Sequence, residues 1–336
     1  MIQNNTPATN NVADTSQDFV NRISLKGSLD AYVHDVVKRY RFGKDFSYSI
    51  IQVGYEDCNI KLHVDSTNYI LKTFSSYKTD DMCRMYVGTM LRVISSGIRH
   101  PRIYSANGSY FQVYKADTST IRYCLLECIE GKSLYDLNVH PTRSEAVDLI
   151  HQAAKINTLN IPLEEYYDEW SPIHFSREYE VKKQFIPLEF RSYLKAFNAK
   201  LLSLDMSKLS QAFVHNDIIR ANVIKDSQST LTIIDYSKAS RKPIIQELSV
   251  MLCGMFFDEK NPAGFREYVD LVKTEYVPIL SEAEYNVLHL FITAVFGMYL
   301  MGGEYCRQEM NLHSKENDDW ISLGANGLRY CRDQWP

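Results

Sequence analysis

No two cysteines in this 336-residue chain stand at C-x-x-C spacing, and the seven present (Cys58, Cys83, Cys124, Cys128, Cys253, Cys306, Cys331) form an odd, scattered set. Such a set builds neither a disulfide framework nor a thiolate metal site, and it fits a reducing compartment. Positive charge is not in surplus either: 37 Lys and Arg oppose 41 Asp and Glu, a formal net charge of −4. Nothing in that balance favours phosphate backbones or anionic lipid, so nucleic acid is not an expected partner. No stretch reaches the roughly 18 uninterrupted apolar residues that a membrane span takes. The opening MIQNNTPATNNVADTSQ carries neither a basic nor an apolar signal region. A cytoplasmic protein that engages no membrane is the expectation. Residues 1–17, polar and without apolar periodicity, cannot offset their ordering entropy by burial and are expected to be a flexible tail. Histidines such as His63, His174 and His289 are isolated from cysteine and carboxylate ligands, so zinc is not expected.

At 45% hydrophobic and 23% charged, the chain has ample material for buried cores. Its length exceeds the roughly 250–300 residues at which single cores stop growing, which predicts two domains or one bilobal unit. Ser28 is placed to cap a helix with apolar residues at helical spacing from Leu29 to Tyr40. Strand-like runs follow at residues 46–53, 59–64 and 68–74, separated by the turn Gly54-Tyr55-Glu56-Asp57 and by Asp65-Ser66-Thr67. A helix is predicted over 82–96, then strands at 109–116 and 123–129. After Gly131 helical periodicity dominates, over residues 144–159, 178–203 and 281–301. It is interrupted by two β-type runs, 212–224 and 231–239, joined by the turn-like residues 225–230. The prediction is an α+β bilobal fold: a tail over 1–17, an antiparallel β-rich lobe over 18–129 and a mainly helical lobe over 130–336.

The embedded hairpin carries the chemistry. From the strand residues Phe213-Val214 the chain reads His215-Asn216-Asp217-Ile218-Ile219-Arg220-Ala221-Asn222, an H-x-D-x-x-x-x-N string, and Asp235 follows thirteen residues after Asn222. Phosphoryl transfer makes little covalent demand on a protein, but it needs a carboxylate to orient the attacking hydroxyl and accept its proton, and oxygen ligands for Mg²⁺. Asp217 suits the first task, and Asn222 with Asp235 suits the second, since Mg²⁺ keeps several waters and takes few carboxylates. His215 reads as structural support. Lys72, mid-strand between apolar residues, is the candidate cation for a triphosphate. Adenine is expected in the crease between lobes against the backbone of Glu127, Cys128 and Ile129. There is no G-x-G-x-x-G or Walker A motif, and Gly54 alone serves the turn over the phosphates.

The segments FVHNDIIRANVI, TIIDYSKASRKPIIQELSVMLC, YILKTF and LLECIEGKSL together resemble the aminoglycoside phosphotransferase and choline kinase superfamily, which has the protein-kinase-like fold and includes homoserine and hydroxylysine kinase-like members. The resemblance implies an ATP- or GTP-dependent, Mg²⁺-requiring small-molecule kinase. In it Asp217 is the catalytic Asp, Asn222 and Asp235 are metal ligands, Lys72 binds the α and β phosphates, residues 127–129 form the hinge and Glu247 braces the catalytic loop. It further implies a nucleotide and a small-molecule hydroxyl as partners, with an amino alcohol, amino acid or aminoglycoside-like acceptor. Asp258-Glu259, Glu304, Asp318-Asp319 and Trp320 lie where acceptors bind in that family.

Departures are specific. The helix glutamate that pairs with the strand lysine falls near Tyr86, where there is no Glu, so that either Asp80 or Asp81 substitutes or the lysine is held otherwise. Asn216 and Arg220 occupy positions often taken by Gly and Pro, and Glu247 stands for Asp. The missing glutamate supports an alternative, a catalytically weak nucleotide-binding pseudokinase or scaffold. A protein kinase is disfavoured, because His-Arg-Asp, Asp-Phe-Gly and Ala-Pro-Glu segments are absent.

Overall fold

The computed structural model describes residues 17–335 except 18, 44, 53, 55, 117–118, 164–166 and 278–279. The tail assigned to 1–17 therefore lies outside the described residues, save Gln17. Two compact units divide the chain, the first ending at Glu130 and the second beginning at Gly131.

In the first unit, Ser28 accepts a hydrogen bond from the Ala31 N–H and opens helix α1 (Leu29–Arg39). Its buried face of Tyr32, Val33, Val36 and Val37 packs against Ile60, Leu62, Leu71, Ile121 and Leu125 from the sheet. That sheet holds β1 (Phe46–Ile51), β2 (Cys58–Val64), β3 (Thr67–Thr73), β4 (Ile103–Tyr104), β5 (Gln112–Ala116) and β6 (Ser119–Glu127). Its order is β1-β2-β3-β6-β4, with β5 also on β6, and every pairing is antiparallel. Strand β2 is buried at alternate residues, the period-two pattern of a sheet with one covered face. Helix α2 (Asp80–Ser95) is capped by Thr79.

The second unit begins with β7 (Gly131–Ser133) and α3 (Arg143–Asn157), the latter opened by a Thr142–Glu145 capping box. The continuous helix predicted over 178–203 is instead α4 (Phe175–Lys182) and α5 (Leu188–Leu202), split by a 3₁₀ turn and by Pro187, which has no N–H to continue the ladder. The two long β runs are also corrected. Residues 212–224 form β8 (Gln211–Val214), an irregular loop and β9 (Val223–Asp226), while 231–239 form β10 (Leu231–Ile233) and a 3₁₀ turn. Strand β9 pairs with β10 and β7, and β8 pairs with β11 (Ser240–Pro243). The loop therefore hangs between two small ribbons.

Four further helices follow: α6 (Ile244–Met251), α7 (Phe265–Glu275), α8 (Glu282–Gln308) and α9 (Lys315–Gln334). By length and mean hydropathy α8 is long and apolar enough to cross a membrane, although Asn286, His289 and Thr293 interrupt it, so that it is not an uninterrupted apolar run. However, 83% of its most apolar window is buried inside the protein, as befits a core helix.

Candidate active site

The residues singled out in the sequence fall into two clusters, one in each unit. In the second unit, β8 delivers the chain to His215, which is fully buried. Its Nδ1 accepts from the Asp217 N–H at 3.2 Å, so Nε2 carries the hydrogen and donates to the Ile234 carbonyl at 3.0 Å. The ring also meets Tyr236 edge-on at 4.4 Å. With both nitrogens engaged, His215 ties the loop to the residue before Asp235 and has no site left for proton transfer.

Glu247 projects from α6 and is fully buried. Its Oε1 accepts from the His215 N–H at 2.9 Å and from Asn157 Nδ2 at 3.4 Å, and its Oε2 accepts from the Asn216 N–H. Burial pushes its pKa up to about 7, against the pull of those hydrogen bonds. A folded-state pKa raised above the ordinary glutamate value means that the native state holds a proton which the unfolded chain releases. Stability should therefore fall as pH rises from about 4.5 to about 7, by at most about 3 kcal/mol from this group. Urea unfolding between pH 5 and 8 should show that slope, and Glu247→Gln should remove its share. Identical slopes in the two proteins would refute it.

Asn216, where the resemblance led to Gly, has φ 68°. Asparagine tolerates this left-handed region better than most residues. Its side chain also binds the loop down: Nδ2 donates to Asp168 Oδ2 at 3.4 Å, and Oδ1 accepts from Gln246 Nε2. Arg220 opens the 3₁₀ turn Arg220–Asn222, and its carbonyl accepts from the Tyr135 N–H. Gly254 lets helix and loop approach closely, because a Cβ there would sit 2.4 Å from Ile219 Cγ2.

This scaffold aims Asp217, Asn222 and Asp235. Asn222 Nδ2 donates to Asp217 Oδ2 at 2.7 Å and to the Asp217 carbonyl at 3.0 Å. The amide nitrogen of Asn222 is thus committed to Asp217, which leaves Oδ1 as its donor atom for a cation. The Ile234 N–H donates to the Asn222 carbonyl at 2.9 Å, binding the two arms of the β9–β10 hairpin just before Asp235. Asp235 adopts φ 65°, with Oδ1 accepting from the Ser237 N–H at 3.2 Å. Asp217 is half-buried. Burial and then the neighbouring Asp235 charge push its pKa up to about 7; Asp168 adds to this, and Lys238 and the Asn222 bond oppose it. Two carboxylates that repel, beside one neutral amide oxygen, form a hard oxygen donor set whose excess negative charge a divalent cation would relieve. That set fits Mg²⁺. No cluster of three or more His, Cys, Asp or Glu suited to a metal occurs among the described residues.

In the first unit, Lys72 lies on β3 and is 3% exposed. Its partner is neither of the two acids named from the sequence. Asp80 is engaged by Arg122 at 2.6 Å and Asp81 is exposed, while Lys72 Nζ pairs with Asp57 Oδ2 at 3.2 Å. Tyr86, counted as the position of the expected glutamate, places its ring centroid 5.1 Å from Nζ. Gly54 has φ 91°, a conformation that favours glycine, and its carbonyl accepts from Arg22 Nη1. Glu127 ends β6, its N–H donating to the Arg102 carbonyl at 2.8 Å and its carboxylate accepting from the Arg102 N–H. Cys128 and Ile129 are half-buried beyond it.

Among the acidic residues named from the sequence, Asp258, Glu259 and Asp319 all act on the Arg220 guanidinium. Glu304 and Asp318 flank Arg307, Glu259 accepts from Ser322 and Asn326, and Asp319 accepts from Tyr135 and Lys315. Trp320 meets Tyr299 at a tilt of 45° with ring centroids 4.6 Å apart, and the Tyr299 hydroxyl feels the Asp217 charge. Asp57, Asp168, Lys238, Gln246 and Asn157 were not singled out from the sequence. Asp57 stood in a quoted turn, and no spacing marks the others.

A model of the phosphotransferase enzyme family matches residues 47–271. No curated protein matches the chain in sequence. Among solved structures, a microcompartment-associated aminopropanol kinase shares 14% identity, with 90% of this chain and 96% of that one covered and a TM-score of 0.65. The amicoumacin kinase hAmiN, solved with AMP-PNP, Ca²⁺ and Ami, shares 12% identity over 95% and 96% of the chains at a TM-score of 0.64. The choline kinase LicA from Streptococcus pneumoniae shares 13% identity over 90% and 99% at 0.56. Likeness at such identities establishes the fold, the protein-kinase-like fold of aminoglycoside phosphotransferases and choline kinases. With two thirds of its length matched by the family model, the chain belongs to the phosphotransferase enzyme family.

Proposed function

We propose that this protein transfers the γ-phosphoryl group of ATP or GTP, with Mg²⁺, to a hydroxyl of a small molecule. The observation that carries the reading is the bonded pair Asp217–Asn222 with Asp235 beside it, set on one hairpin of a chain from a phosphotransferase family. In this reading Asp217 orients the acceptor hydroxyl and takes its proton, and Asn222 fixes the carboxylate's direction through Nδ2. Asn222 Oδ1 and Asp235 hold the metal, which when bound neutralises charge on the transferring group. Lys72 neutralises the α and β phosphates, Gly54 serves the turn over them, and the backbone of Glu127 and Ile129 receives the base. His215 and Glu247 keep the loop in place.

An amine-bearing alcohol is the favoured acceptor, because aminopropanol, ethanolamine and choline kinases share the fold. The pseudokinase alternative rested on the missing helix glutamate, and it loses that support because Lys72 has a carboxylate partner in Asp57. Nucleotide consumption with Mg·ATP and Mg·GTP, screened across amino alcohols, aminoglycosides, amino acids and sugars, tests the proposal. Phosphate transfer to one of these is the expected result. Nucleotide binding without transfer to any acceptor would favour the pseudokinase, and transfer to peptides alone would favour a protein kinase.

A further inference from the structure

We propose that Asp57, at the end of the turn carrying Gly54, is the carboxylate that positions Lys72, so that this chain takes the lysine's partner from its β1–β2 turn instead of a helix. The inference rests on Lys72 being a nucleotide-binding lysine. Lys72 and Asp57 are 3% and 7% exposed and meet at 3.2 Å, a buried ion pair in which loss of one partner is costly. The pairing of β2 with β3 sets Asn59 opposite Lys72 and Cys58 opposite Thr73, which brings the residue just before β2 within reach of the lysine head.

Asp57 is itself held in place. Its Oδ1 accepts from the Ser75 N–H at 3.0 Å and from Lys78 Nζ at 2.8 Å, and Lys78 also pairs with Glu56 at 3.1 Å. Lys78 thus clamps both acids of the turn, leaving Asp57 Oδ2 directed at Lys72. Helix α2 offers no carboxylate to the lysine. Its first-turn Asp80 is bonded to Arg122, and the residue it turns toward Nζ is Tyr86, packed edge-on against Phe74 at 5.4 Å. An aromatic face attracts the ammonium but cannot fix its direction as a charged acceptor does. The consequence is that the turn proposed to cover the phosphates and the partner that aims the lysine belong to one segment of the chain.

The test is calorimetric titration of Mg·ATP, and of Mg·GTP, into the full chain and its variants, with thermal melts alongside. Asp57→Asn should weaken nucleotide binding by about tenfold or more, the order expected when a buried charge loses its partner. Asp80→Asn should leave binding within about twofold of the parent, as expected for an ion pair at the surface. Adding Tyr86→Glu to Asp57→Asn places a carboxylate on the helix beneath Lys72 and should recover most of the lost affinity, whereas adding Tyr86→Gln should not. A role of Asp57 in folding alone would not be rescued from the helix. Unchanged or tighter binding by Asp57→Asn overturns the proposal. Should Asp57→Asn fail to fold, the double variant decides: nucleotide binding upholds the placement, and a double variant that stays unfolded or folds without binding overturns it. Failure of the parent chain to bind either nucleotide would strike the proposed function itself, separately from Asp57.

Discussion

Asp217→Ala is expected to lower turnover by about 10²- to 10⁴-fold, the range for loss of a positioned general base, while Mg·nucleotide binding stays within a few-fold. The split follows from the geometry. Asp217 is joined to Asn222 through its carboxylate, but Asn222 is also held by its own backbone, with its N–H on the Ile219 carbonyl and its carbonyl on the Ile234 N–H. Removing the carboxylate leaves the hairpin arms bonded and the metal-facing oxygens in place. Asp217→Asn is the finer probe, since its amide oxygen still accepts from Asn222 Nδ2 while its basicity is gone. Initial rates with the acceptor found by screening, together with calorimetric nucleotide affinity, check both variants. Turnover within tenfold of the parent would remove Asp217 from the base role.

How much of this was legible beforehand depends on how each contact is made. The loop from His215 to Asn222 and Asp235 could be read because its partners lie along one short stretch: Nδ2 of Asn222 returns to Asp217 five residues earlier, and His215 reaches Ile234 across a hairpin. Local geometry of that kind fixes spacing. Asp57 reaches Lys72 through strand pairing, where the distance along the chain is free to vary, and an acid in a turn looks like any solvated turn residue. Asp168 joins Asn216 from 48 residues away, with no local pattern at all. The strand predicted over 212–224 ran through the loop because Ile218 and Ile219 are buried there, mimicking strand residues, although they pack beneath an irregular turn. Helix α6 was missed for the opposite reason: all eight of its residues are buried, Gln246, Glu247 and Ser249 included, so its polar residues do not mark a solvent face. Pro187 was present in the sequence and did mark a break, yet the apolar repeat on either side of it read as one helix.

Asp235→Asn should abolish the increment that Mg²⁺ adds to nucleotide affinity, so that titrations with Mg²⁺ and with a chelator become the same, and turnover should fall by about 10²-fold or more for loss of the charge that holds the metal. Asparagine is the right replacement, because Asp235 sits at φ 65° with Oδ1 accepting from the Ser237 N–H. An amide keeps that bond and tolerates the left-handed backbone, where alanine would add strain of roughly 1–2 kcal/mol. The electrostatics also couple the two carboxylates. The Asp235 charge, after burial, is the largest influence raising the Asp217 pKa. Neutralising Asp235 therefore lowers that pKa, which leaves Asp217 more fully ionised at neutral pH but also a weaker base. Turnover alone therefore mixes the two effects, and the Mg²⁺ increment in nucleotide affinity is the readout that assigns Asp235 to the metal. Retained Mg²⁺ dependence in that variant would take Asp235 out of the metal site and leave Asn222 without its charged partner there.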